Sequence, residues 1–180
     1  MEVFAKNGFR GTTTRDLAAQ ADVNEAIIFR HFKTKTDLYR AILEEKVNQA
    51  RDSHEELERL AAAHDDCAFL EAIGQRLLER NERDSTFMRL LLFSALEGHE
   101  LSEMFVASMA GRDPLAAYLE RRMNEGVLRH MDPHLAARAF IGMFVSFIQM
   151  QEIFRPQTRV FQRNDVVHTF VSIFLAGMQP

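Results

Sequence analysis

A single cysteine, Cys67, in 180 residues leaves an internal disulfide without a second thiol and fits a reducing compartment. No apolar run approaches the ~20 residues that a membrane-spanning helix needs, the strongest being residues 139–150. The opening residues Met1 to Lys6 lack the basic start and apolar stretch of a secretory signal, so the expected location is cytoplasmic. Repeats, low-complexity tracts and flexible linkers are missing too. No segment alternates with a period of two, which leaves an all-α chain. Catalytic signatures are equally scarce. There is no His-Glu-x-x-His zinc motif, no Gly-x-Ser-x-Gly nucleophile turn, no phosphate-binding Gly-Lys loop and no Glu-x-x-His pair of a helical di-iron site. The runs His64 to Cys67 and His130 to His134 carry metal-capable atoms but read as helix boundaries, the second being interrupted by Pro133. No enzyme, resident cofactor or metal is therefore expected.

What is present is apolar residue in quantity, 47% of the chain, and a charge divided along its length. The overall net charge is −4, yet residues 1–40 carry seven Lys/Arg against five Asp/Glu. The amino-terminal end is the basic one, as a nucleic-acid contact requires. Thr13 followed by Asp16 has the spacing of a capping box, and Leu17, Ala18 and Ala21 then fall on one helical face. After a turn at Asp22-Val23, Asn24 is a second N-cap, and a short helix runs to Phe32 with Val23, Ile28 and Phe32 inward. Glu25, Ala26, Ile27, Phe29, Arg30 and His31 remain outside, a mixed face suited to a major groove. Lys33 and Lys35 flank Thr34, which can cap a third helix. That corner and Thr13 are expected to hold phosphates, and Thr14, Arg15 and Asn24 are further expected DNA contacts.

From Phe4 through Leu38 the chain resembles the DNA-binding domain of the TetR (tetracycline-repressor-like) transcriptional regulators. The resemblance is carried by Phe4, Gly8, Thr12-Thr13, Asp16-Leu17-Ala18, Ala21, Val23, Phe32, Lys35 and Leu38. Three positions depart from the family's pattern. Asp22 stands where Gly is usual in the turn, and Asp tolerates a left-handed backbone. Phe29 replaces the usual Tyr and so removes a phosphate-binding hydroxyl. Only Met1 to Asn7 represent a first helix that is ordinarily longer: either the native chain extends upstream of Met1, the preferred expectation, or the head is short of part of its support.

The rest of the chain reads as helices over 36–63, 66–83, 85–97, 101–109, 114–125, 133–154 and 165–178, broken at Gly98, Gly111 to Pro114, Gly126, Asp132-Pro133 and Arg155-Pro156. The division expected is a helix-turn-helix domain over 1–46 and a helical effector-binding and dimerisation domain over 47–180. Residues 133–154 and 165–178 are apolar on more than one side, and the resemblance implies that these two helices pair across a two-fold axis. Phe140, Val166, Phe170, Ile173 and Phe174 are the expected interface. Fifteen Phe and nine Met provide an adaptable apolar wall for a small lipophilic or aromatic effector. Met88, Leu92, Phe105, Met109, Phe144 and Phe147 are candidate lining residues, with His99 and Gln151 as polar anchors.

The expectation is a ligand-responsive homodimeric regulator, usually a repressor in this family, released from a palindromic double-stranded operator by its effector. A helical ligand-binding or interaction protein without effective DNA recognition is the alternative. Sequence-specific, salt-dependent DNA binding separates the two.

Overall fold

A computed structural model describes residues 1–49, 54–98, 113–151 and 161–179. Among them it contains ten helices: α1 (Glu2–Asn7), α2 (Thr14–Gln20), α3 (Glu25–His31), α4 (Lys35–Gln49), α5 (His54–Ala62), α6 (Asp66–Arg83), α7 (Thr86–Leu96), α8 (Pro114–Asn124), α9 (Pro133–Gln149) and α10 (Arg163–Gly177). The all-α expectation holds for these residues. The expected helix over 101–109 lies outside them. The described parts of the helix expected over 36–63 are α4 and α5, on either side of residues 50–53, which also lie outside.

The chain divides into two compact units, Met1–Asp52 with Asp84–Ala110, and Ser53–Arg83 with Gly111–Pro180. The first joins α1 to α4 with α7, a helix that a boundary at residue 46 would leave in the second domain. Apolar burial explains the grouping. Phe87 and Leu90 of α7 share one core with Phe4, Ala5, Leu17, Tyr39 and Leu43. Phe4, Phe9 and Tyr39 stack at its centre, with centroids 4.8 to 6.1 Å apart.

Tyr39 is fully buried and its hydroxyl donates to the Leu90 carbonyl at 3.1 Å. Burial, and next the Glu97 carboxylate, push its pKa from 10.0 up to about 12. The folded chain thus favours the neutral phenol, so this stabilisation is whole below pH 10 and is lost as pH rises from 10 to about 12. Denaturant unfolding across that window should show the wild type losing about 2–3 kcal/mol more than Tyr39→Phe. Parallel curves for the two proteins would contradict this account.

The second unit packs α6 against α5, α9 and α10, with α8 on α9. Gly74 of α6 is the point of closest approach. A Cβ there would stand 2.5 Å from Phe144 Cζ and 3.3 Å from Val167 Cγ1. At the far end, Arg122 of α8 is nearly buried and forks onto Asp66, Nε to Oδ1 at 2.8 Å and NH2 to Oδ2 at 3.1 Å. The Tyr118 hydroxyl donates to the same Oδ1 at 2.6 Å, and Arg122 also engages Glu125. Hydrogen bonding to Asp66 holds the Arg122 guanidinium above its ordinary pKa. Asp66, read from sequence as a helix boundary, therefore also anchors α6 to α8.

No described helix is long and apolar enough to cross a membrane.

Candidate nucleic-acid interface

The helix-turn-helix is built from local caps. The Thr13 hydroxyl accepts from the Asp16 N–H at 3.2 Å while the Asp16 carboxylate accepts from the Thr13 N–H at 3.0 Å, the two halves of a capping box. Hydrogen bonding from Thr13 holds the Asp16 carboxyl below its ordinary pKa. Asp22 closes the turn at φ 53, in the left-handed region that the sequence requires of it. Asn24 Oδ1 accepts from the Ile27 N–H at 3.0 Å and starts α3. Thr34 and Asp37 repeat the reciprocal cap at the start of α4.

These caps leave α3 with the outer face read from sequence. Ala26, Ile27, Phe29, Arg30 and His31 are exposed, Phe29 by 48%. Glu25 is half-buried, its Oε2 accepting the Thr14 hydroxyl at 2.7 Å. The side chains of Arg30, His31 and Lys33 are exposed and make no hydrogen bond or ion pair among the described residues. Two residues expected at phosphates are already engaged within the chain. The Thr13 hydroxyl donates to Asp16 Oδ2 at 2.6 Å, using its one proton. Lys35 Nζ donates to the Phe9 and Thr12 carbonyls, both at 2.7 Å, and lies 4.2 Å from the centroid of the Phe9 ring.

Residues 1–42 match the family model described as "Bacterial regulatory proteins, tetR family", and residues 68–179 match "AefR-like transcriptional repressor, C-terminal domain". The chain belongs to the TetR family. It is 49% identical over 43 residues to the uncharacterized HTH-type transcriptional regulator YvkB of Bacillus subtilis, a match over 24% of this chain and 23% of that protein. The HTH-type transcriptional repressor Rv3405c of Mycobacterium tuberculosis is 44% identical over the same shares of the two chains. The chain thus spans about a quarter of the length of these curated relatives. Among solved structures, the fatty acid degradation regulator FadR from Bacillus halodurans superposes with a TM-score of 0.79 at 17% identity, over 99% of this chain and 95% of that one. FadR from Bacillus subtilis, solved in complex with stearoyl-CoA, gives 0.73 at 17% identity over the same shares. These likenesses give the fold.

The other expected sites of this TetR-family chain are unevenly placed. Met88 and Leu92 are half-buried on α7 in the first unit, whereas Phe144, Phe147 and Gln151 belong to the second. Phe144 is fully buried, edge-on to Phe140 and Phe170, each with its centroid 5.2 Å away. His99, Phe105 and Met109 lie outside the described residues. Of the expected interface residues, Phe140, Val166 and Phe174 are buried within the single chain, Phe170 is half-buried, and Ile173 is 59% exposed. The first three face their own core because α10 packs on α6 and α9, with Phe174 edge-on to Phe140 at 5.0 Å. The exposed strip of α9 runs instead along Leu135, Arg138, Ala139, Gly142 and Ser146, with Met150 exposed just past its end.

Sequence reasoning missed Arg10, Arg89 and Glu97, all of which brace the head. Arg89 Nε donates to the Ala5 carbonyl at 3.0 Å, and Glu97 accepts from the Phe9 and Arg10 amides. Nothing in their local pattern marks contacts made across more than eighty residues. For Lys35, the first turn of α4 explains its position, and its two carbonyl acceptors were invisible.

Lys35→Met keeps the aliphatic stem and removes the ammonium. It should destabilise the head by about 1–3 kcal/mol, the scale of charged hydrogen bonds to part-buried carbonyls. An unfolding midpoint equal to the wild type's would show that this staple contributes nothing.

Proposed function

We propose that the protein is a ligand-responsive homodimeric regulator that represses transcription from a palindromic operator and is released by a lipophilic effector. The observation that carries the DNA reading is the exposed face of α3, Ala26, Ile27, Phe29, Arg30 and His31, held out by three capped helix starts. On this reading Arg30 and Glu25 address base edges, while Arg15 and Lys33 sit at phosphates. Lys35 retains one ammonium proton for the same purpose. No catalytic role is assigned to any side chain.

Dimerisation is supported by the outer strip of α9 together with Thr169, Ser172, Ile173 and Ala176 of α10, all exposed. Small side chains let a second copy's helices come close, and Leu135 and Ile173 supply apolar area. Two heads would then meet a two-fold site with half-sites about 34–36 Å apart, or a multiple.

The effector reading is supported by the Phe and Met content and by the stearoyl-CoA complex of the structural neighbour FadR from Bacillus subtilis. A wedge among these side chains re-aims the head only to the extent that it binds one head separation better, so effector and DNA weaken each other by the same factor.

The test is titration of the purified protein with a duplex that it retains from a random-sequence pool, in rising salt and with added stearoyl-CoA. Log affinity should fall linearly with log salt, and the acyl ligand should weaken binding. Salt-independent retention, or tight acyl binding without effect on DNA affinity, would contradict the respective half of this reading.

A further inference from the structure

Glu97 occupies an unfavourable end of its helix. It is the C-cap residue of α7, where a carboxylate faces the negative end of the helix dipole. Its oxygens are nevertheless well supplied with donors. Oε2 accepts from the Phe9 N–H at 3.0 Å and Oε1 from the Arg10 N–H at 3.2 Å. The Arg10 guanidinium returns to the Glu97 carbonyl at 3.3 Å. Lys35 binds the opposite side of the same turn, through the Phe9 and Thr12 carbonyls. Phe9 thus has its N–H on a carboxylate from α7 and its C=O on an ammonium from α4.

Gly8 makes room for this grip. Its φ is +72°, and a Cβ would stand 2.4 Å from Glu97 Oε1 and 3.0 Å from Phe93 Cδ1. The gripped residues 8–12 lead from α1 directly into the Thr13 cap, so they fix the direction in which α2, and α3 behind it, leave α1.

We propose that Glu97 is a positioning residue for DNA reading: from α7 it sets the α1–α2 turn and thereby the aim of α3. This rests on the DNA-reading function proposed above. Charge sign separates the role from simple electrostatics. Deleting a carboxylate from a DNA-binding head raises affinity if only the field matters, whereas releasing the turn lowers it.

Two substitutions test this on a duplex that the wild type retains from a random-sequence pool. Glu97→Gln keeps the shape but replaces one of the two acceptor oxygens by an NH2, so that the Phe9 and Arg10 N–H groups lose one of their acceptors. Glu97→Asp keeps the charge but draws the oxygens back by one methylene. Affinity, its salt slope and amide hydrogen exchange are read together. Glu97→Gln should bind about tenfold more weakly and Glu97→Asp less severely so. Both should leave the salt slope unchanged, speed exchange at Phe9 and Arg10, and keep the α2 and α3 amides protected. Equal or tighter DNA binding by Glu97→Gln, or unaltered exchange at Phe9 and Arg10, overturns the proposal. Loss of protection throughout the first unit in both variants also overturns it, by reducing Glu97 to a residue that merely holds the fold. A wild type that retains no duplex overturns the DNA reading itself, a result distinct from a wild type that binds and variants that bind equally well.

Discussion

Ile173→Asp is expected to yield folded monomers and to weaken DNA binding by about 100-fold or more, because two linked heads gain that factor from a shared site. Ile173 is 59% exposed on α10, so within one chain the new carboxylate stays in water and the fold has no reason to fail. In the proposed dimer the same carboxylate would be enclosed between apolar helix faces, at a cost of several kcal/mol. Phe174→Asp would confuse the question, since Phe174 is 8% exposed and meets Phe140 at 5.0 Å inside its own chain. Sedimentation velocity and duplex titration on Ile173→Asp check both halves. A variant that remains a tight dimer would remove Ile173 from the interface.

Phe144→Ala should destabilise the second unit by about 3–5 kcal/mol, the range for emptying a large aromatic site. Phe144 is fully buried, edge-on to Phe140 and Phe170, and its ring end lies on the bare backbone of Gly74. Gly74→Ala approaches the same contact from the other side. Alanine in a helix interior gains about 1 kcal/mol over glycine. Here its methyl would meet a ring held on both flanks, and overpacking of this kind costs about 1–3 kcal/mol. The two changes should not add: Gly74→Ala should harm the wild type and cost less, or even stabilise, once Phe144 is alanine. Strict additivity in chemical denaturation would mean that the ring and the glycine do not share the space assigned to them.

What the sequence disclosed, and what it withheld, follows from the range of each interaction. Thr13, Asp16, Asn24 and Thr34 act within three residues, so their caps were readable, as was the left-handed demand on Asp22. The outer face of α3 was readable for the same reason. The membership of α7 was not, because Phe87 and Leu90 belong to the head core through contacts with Phe4 and Tyr39, far away along the chain. Lys35 illustrates the ambiguity of a lone cation. A lysine at a helix start suits a phosphate, and only the fold reveals the two carbonyls that engage it. The two apolar carboxy-terminal helices each bury one face in their own chain and leave another exposed. Periodicity could not divide burial in their own core from burial against a second copy, and it is the former that takes Phe140, Val166 and Phe174.

The most direct test of the whole account is to sequence the duplexes that the purified protein retains from a random pool, beside those retained by Arg30→Ala. Two inverted half-sites about one helical turn apart, or a multiple, should be enriched, and the preferred bases should change in the Arg30→Ala set while the spacing stays the same. An unenriched pool, or identical preferences for the two proteins, would contradict the assignment of α3 as the reading element.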